Sequence, residues 1–296
     1  MSNLPRRLLA AASLLSLVAP VVRAQDANVG WTITTKITSD SGNGAPPFMM
    51  LMKQQFQGGK FRMEMDSSTL PTAQAVKGTY SIFDLHDSVM TNVLPSMHIA
   101  TKMPYSFLSS AMHMSMPAPH FAMDSVVDLG PGGTILGHDT RHYRRMVEGT
   151  LEYTLGKRTC TRPISQVGEY WIAPDLHVEE ESAAAMKAVG GMGGFDPSTG
   201  AAGTRGKLPP GTSLRAIVKS TEKGPDGAAR VVTSSVEYLT LAHEKIDDVA
   251  FQAPLDYTVQ DMGQMMAMMP PGMLDSTMAA AAERTLHLSC ADAGKP

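Results

Sequence analysis

From Trp31 onward the chain alternates. Trp31, Ile33 and Ile37 are separated by Thr32, Thr34, Lys36 and Thr38, the two-residue period of a strand with one buried face. Phe48 to Gln57 predicts a second strand, Gly58-Gly59 a turn, and Lys60 to Asp66 a third strand. In that third strand Phe61, Met63 and Met65 face one way and Arg62, Glu64 and Asp66 the other. Tyr80–Leu85 and Val89–Leu94 form the next pair, joined through the polar turn His86-Asp87-Ser88. A long pair is predicted from about Asp139 to Thr159 and from Val167 to Ile172. The last runs over Ser213–Thr221 and Ala229–Ala242, around Gly224-Pro225-Asp226-Gly227. Hairpins follow one another without strand-helix-strand alternation, which favours an antiparallel over a parallel sheet.

Two stretches break the alternation. Residues 103–116, opening Met103-Pro104-Tyr105-Ser106-Phe107-Leu108, predict a helix. So do residues 179–190, where three glutamates at Glu179–Glu181 precede Ala183-Ala184-Ala185-Met186, acids in a first turn followed by good helix formers. Gly190 to Gly206 is a Gly-rich loop, and from Gly263 a Met/Ala-rich tail carries Pro270-Pro271-Gly272 and four consecutive alanines. The expected fold class is therefore α+β: one domain over 25–262 with an insertion at 179–206, built on a curved antiparallel sheet with helices beside it, and a tail over 263–296.

The first residues read as an address. Arg6 and Arg7 precede the apolar stretch Leu8–Val22, and Val22-Arg23-Ala24 supplies small residues at −3 and −1, the pattern of a secretory signal cleaved near Ala24. The apolar run is too short for a stable membrane span. Its removal takes away three arginines and no acids, so the net charge of −3 becomes −6. That balance argues against a basic nucleic-acid surface. The expected location is periplasmic or secreted. Two cysteines, Cys160 and Cys290, make neither a disulfide scaffold nor a four-cysteine zinc site. The sequence leaves open whether they pair.

Several segments resemble, in order, an exported bacterial family catalogued as domain of unknown function 4412. They are Gly59-Lys60-Phe61-Arg62-Met63-Glu64-Met65, Ile82-Phe83-Asp84-Leu85 with Val89-Met90-Thr91, and Ile135-Leu136-Gly137-His138. Gly168-Glu169-Tyr170-Trp171-Ile172-Ala173-Pro174-Asp175 and Phe251-Gln252-Ala253-Pro254-Leu255-Asp256-Tyr257 complete the series, which spans roughly residues 28–262. The resemblance implies kinship with the lipoprotein carriers LolA and LolB: an open, strongly curved antiparallel half-barrel whose concave apolar face is covered by helices. It implies a hydrophobic cavity and no established activity. His138-Asp139-Thr140 lacks the cysteine often found there in the family, and the 179–206 insertion and Met-rich tail look like additions.

Catalytic motifs are largely missing. There is no Gly-x-Ser-x-Gly elbow, and Gly206-Lys207 is followed by Leu208 where a phosphate loop needs Ser or Thr. His243-Glu244 starts a zincin-like pattern that Asp247 does not complete. His138 and His142 lie on a predicted strand, about 13 Å apart, too far to share a metal. No cofactor is expected.

Methionine is the compositional anomaly: 23 residues, against 8 Phe, 7 Tyr and 2 Trp. Three clusters hold most of them, around 49–65, 97–123 and 262–273. Unbranched thioethers suit a pliable apolar cavity, and they equally suit a core in which Met replaces Leu. A third reading is a Cu(I) site using Met112, His113, Met114, Met116 and His120, since soft ligands select that ion. The preferred expectation is a non-enzymatic carrier of a lipid, acyl chain or other hydrophobic small molecule. Its wall would be Trp31, Ile33, Phe61, Met63, Met65, Ile82 and Val93, with Phe107 and Leu108 on a covering helix. The sequence names no protein partner.

Overall fold

The computed structural model describes residues 29–40, 42, 46–69, 78–105, 118–155, 158–178, 208–223, 229–263 and 289–291. The alternation seen in the sequence is realised as thirteen strands. The first six are β1 (Val29–Asp40), β2 (Phe48–Gln57), β3 (Lys60–Ser68), β4 (Tyr80–Asp84), β5 (Val89–Leu94) and β6 (Ile99–Pro104). Five more are β7 (Ala118–Ile135), β8 (His138–Leu155), β9 (Arg158–Ala173), β10 (Thr212–Lys223) and β11 (Ala229–Lys245). Two short ones, β12 (Thr258–Asp261) and β13 (Ser289–Ala291), complete the set.

All belong to one open sheet in the order β12-β6-β5-β4-β3-β2-β1-β11-β10-β9-β8-β7, with β13 added beside β9. Every pairing is antiparallel except β12 with β6. Two meanders, β1–β6 and β7–β11, are thus joined where the whole of β1 pairs with β11 from Thr233 to Lys245.

The tightest turns follow from residue type. Gly58 and Gly59 have φ of 54° and 78°, the two left-handed positions of a two-residue hairpin turn whose twist matches the strands. At β4–β5, Asp84 Oδ1 accepts the backbone N–H groups of His86 and Asp87 at 3.0 and 3.1 Å, a side chain standing in for a backbone turn.

The α+β expectation with covering helices is overturned. Among the described residues the complete helical elements are two short 3₁₀ turns, Pro95–Met97 and Asp248–Phe251. Met103 and Pro104, expected to open a helix, lie in β6 opposite Met90 and Val89. Cross-strand pairing with β5 outweighs local preference there. Pro104 costs no ladder bond on its other side, because β12 reaches only from Ile99 to Lys102. Residues 106–117 and 179–207, including Phe107 and Leu108, lie outside the described residues, as does most of the tail. The stretch 118–135, for which the alternation predicts no strand, is the long strand β7.

The inner face of the sheet, the one carrying Ile33, buries most of the core. The outer face carries a network of polar and aromatic side chains over β8–β10. There His142 stacks on Trp171 with ring centroids 4.3 Å apart, and Arg215 lies over the other side of that neighbourhood, 4.8 Å from the indole. Glu169 takes Arg144 at 2.8 Å and His142 at 3.2 Å, and the Arg144 guanidinium foremost holds its carboxyl below the usual range. At the other end of the sheet the outer face is apolar. Tyr80, Ile82, Val93 and Ala100 bury Ile246 and Phe251 from the segment after β11. Arg62 anchors that segment: it donates to Ala250 O at 2.9 Å, pairs with Glu64 at 2.7 Å, and sits 3.6 Å above the Tyr80 ring.

Two further ties are covalent or ionic. Cys160 is fully buried and disulfide-bonded. The one other cysteine of the chain, Cys290, stands directly opposite it across β9–β13. The end of the tail is therefore returned to the sheet. On the inner face of β7–β8, Arg145 grips Asp124 through two bonds of 2.8 and 3.0 Å with both side chains nearly fully buried. Breaking one side of such a pair strands a charge. Arg145→Ala is expected to cost about 3–5 kcal/mol in chemical denaturation. Thiol titration of the unfolded, unreduced protein is expected to find no free cysteine, and reduction to lower stability by about 4–5 kcal/mol in the chain-entropy picture.

Candidate functional site

The inner face is organised as a belt of apolar side chains that crosses nine consecutive strands from β6 to β9. Phe56, Phe61 and Phe83 come from β2, β3 and β4, and their register places them side by side: Phe56 opposite Phe61, and Phe61 opposite Phe83. Their rings stack with centroids 4.5 and 5.3 Å apart. Met90 and Tyr105 extend the belt beyond β4; Ile33, Tyr238, Leu214 and Ala173 carry it across β1 and β11 to β9. After β9 the chain turns back so that Leu176 and Val178 lie on the belt, Val178 N–H donating to Thr212 Oγ1 at 3.0 Å.

Next to the belt on the same face is a methionine field. Met52 stands opposite Met65, and Met63 opposite Gln54. Met50 and Met63 pack on a small cluster of Ile37, Met52 and Val236. Four flexible thioether side chains on two adjacent strands make this part of the wall deformable at small cost.

The inner face also carries polar atoms with nothing to bind. Trp31 Nε1, Thr35 Oγ1 and Tyr105 OH are buried without a hydrogen-bond partner. Thr35 is 1% exposed and Tyr105 6%. Buried orphans of this kind are uncommon and mark positions where a water or ligand atom would be accepted. Burial, and after it the negative charge of Asp84, push the Tyr105 hydroxyl well above the ordinary tyrosine value of 10. Trp31 also packs against the His243 ring, tilted by 33° with centroids 4.5 Å apart.

Of the residues singled out from the sequence, Trp31, Ile33, Phe61, Met63 and Met65 share the inner face. Ile82 and Val93 do not. Ile82 stands opposite Arg62, and Val93 opposite Tyr80, so both point outward into the cluster around Phe251. β4 and β5 carry apolar residues on both faces, so alternation alone could not choose; Phe83 and Met90 are the inner residues. The register of the Gly58-Gly59 hairpin, followed through to β4, is the signal that finds Phe56 and Phe83.

His120 lies on β7 opposite Thr150, its ring 3.6 Å from Glu152 and exposed. Met112, His113, Met114 and Met116 fall outside the described residues. No cluster of three His, Cys, Asp or Glu suited to a metal occurs among the described residues. Among the described residues two further His–carboxylate pairs come within hydrogen-bonding distance, His142–Glu169 at 3.2 Å and His138–Asp175 at 2.8 Å. The first is on the outer face, the second at the start of β8, and neither faces the belt.

No protein-family profile matches the chain, and no curated protein matches it; the expected membership of the family of unknown function 4412 is thus unsupported. Solved structures do match. A LolA superfamily protein from Nitrosomonas europaea aligns at 8% identity over 77% of this chain and 91% of its own, with a TM-score of 0.32. A putative outer membrane lipoprotein-sorting protein domain from Vibrio parahaemolyticus aligns at 9% identity over 75% and 89%, with a TM-score of 0.26. A protein of the family of unknown function 1329 from Desulfovibrio piger aligns at 10% over 77% and 91%, with a TM-score of 0.30. These scores assign neither ligand nor activity. No helix among the described residues is long and apolar enough to cross a membrane.

The orphaned hydroxyl gives a direct check of the inner face. Tyr105→Phe removes an unpartnered buried group, so the unliganded protein is expected to be unchanged or stabilised by up to about 1 kcal/mol. Because the folded-state pKa is raised, the stability linked to Tyr105 is full below the ordinary value of 10 and is lost as pH climbs through the folded value. The variant is expected to abolish that part of the alkaline loss in denaturation measured from pH 8 upward.

Proposed function

We propose that the protein is a non-enzymatic binding protein whose inner face takes an elongated apolar ligand, a lipid or acyl chain, over the phenylalanine belt and the methionine field. The observation that carries this reading is the combination, on one face, of a continuous apolar floor with buried polar atoms that have no internal partner. A floor built only to be a core would leave Thr35 and Tyr105 satisfied or replaced by apolar residues. Burial of a chain at about 0.8 kcal/mol per methylene supplies affinity without specific polar contacts. Methionines let the wall follow ligands of different length. The likeness to a lipoprotein-sorting domain is in keeping with this reading but does not carry it.

The proposal extends to location. Residues 1–24 act as a secretory signal, and the protein works in the periplasm or outside the cell. The buried disulfide of Cys160 supports an oxidising compartment.

Titration with a fluorescent fatty acid tests the ligand class. The protein is expected to bind it, and Met65→Glu, which sets a charge on the half-buried inner wall, to weaken binding by about tenfold or more. Val259→Glu, on an exposed edge position, is expected to leave affinity unchanged. Absence of binding, or equal affinity in Met65→Glu, contradicts the proposal.

A further inference from the structure

The sheet is open, so it has two edges, and they are not alike. One is β12, four exposed residues ending in Asp261. The other is β7, eighteen residues long and paired only with β8 among the described residues. A long edge strand offers a row of unpaired N–H and C=O groups to another strand, and such edges are normally blunted.

Both ends of β7 are blunted. Pairing is interrupted by irregularities at Phe121/Met123, Asp128/Gly130 and Pro131/Gly133, and bulges and prolines discourage edge pairing. The middle, Met123 to Asp128, has no bulge, glycine, proline or basic residue. Its acids are already spent on the inner face: Asp124 on Arg145 and Asp128 on Arg141, the latter at 2.6 Å. The outer face of this stretch sets Ser125, its hydroxyl buried without a partner, between two apolar residues. Met123 and Val127 are 37% and 46% exposed, and Val167, two strands in, is 42% exposed. Met146 joins them, since Ser125 stands opposite Met146 and Met146 opposite Val167.

We propose that β7 pairs antiparallel with β7 of a second copy of this chain, with the two-fold axis at Ser125. Antiparallel partners must share a face, so the axis has to pass through a residue. An axis at Val126 sets Asp124 opposite Asp128 of the other copy, like against like. Axes at Asp124 or Val127 run into the pairing irregularities on either side. The axis at Ser125 alone sets Met123 opposite Val127 on the outer face, twice by symmetry, and Asp124 opposite Val126 on the inner face. It also joins the two outer patches, each of Met146 and Val167, into one stripe across the axis. The interface is isologous and closed, and its modest size places it among weak, concentration-dependent dimers.

Sedimentation velocity and light scattering over about 1–100 µM, the range proper to such small interfaces, test the pairing. The protein is expected to dimerise with rising concentration. Val127→Lys is expected to weaken dimerisation by about tenfold or more, since both symmetry-related pairs are lost. Val249→Lys, at an exposed site off this edge, is expected to leave it unchanged. Ser125→Cys is expected to form a disulfide-linked dimer on oxidation, because directly opposed residues lie about 4.5–5.5 Å apart at Cα, within disulfide reach. Val167→Cys, two strands from the axis, is not. This second pair of variants stands even if Val127→Lys fails to fold. A monomer throughout the range, or a dimer unaffected by Val127→Lys and uncross-linked by Ser125→Cys, overturns the proposal.

Discussion

The stacked register of Phe56, Phe61 and Phe83 governs the rest of this structure. A one-residue slip in any of the pairings β2–β3 or β3–β4 would turn one of the three outward and bring a charged or polar neighbour in. The Gly58-Gly59 turn, with both residues in the left-handed region, fixes the first register, and the Asp84-capped turn begins the next hairpin from a defined point. Once that side of the belt is set, the β1–β11 pairing carries it to Tyr238, Leu214 and Ala173 without a further device. The sheet is thus one-sided in its main core, with Ile33, Phe61 and Phe83 buried on the inner face.

The outer face is handled differently along its length. Over β8–β9 it carries cross-strand ionic and aromatic contacts, Arg144–Glu169–His142 and His142–Trp171 among them. Over β3–β6 it is covered by the chain itself, with Phe251 and Ile246 as the buried plugs and Arg62 as the anchor. Among the described residues neither solution reaches the middle of β7 and its outer apolar neighbours, which is where self-pairing is proposed.

Much of this was legible in the sequence because a period of two is hard to mistake when one face is buried. Trp31, Ile33, Phe61, Met63 and Met65 were placed on one face by alternation, and they share it. Alternation failed where both faces are apolar, as in β4 and β5, because the residues that cover the outer face, Ile246 and Phe251, are more than 150 positions away from Ile82 and Val93. Met103 suits a helix as well as a strand, and only its pairing with Met90 in β5 decides. β7 was missed because prolines and glycines punctuate it, and on an edge strand these are tolerated where a central strand would reject them. The orphaned hydroxyls of Thr35 and Tyr105 had no sequence signal at all, since a missing partner is a property of three-dimensional surroundings.

The central claim is that the inner face is a ligand site and not merely a core. Native mass spectrometry of the protein, purified gently from its native host, tests this most directly. The account predicts a population carrying adducts of lipid or acyl-chain mass that are lost on unfolding. A single species at the mass of the polypeptide alone, which also stays unliganded after incubation with fatty acids and phospholipids, would contradict it.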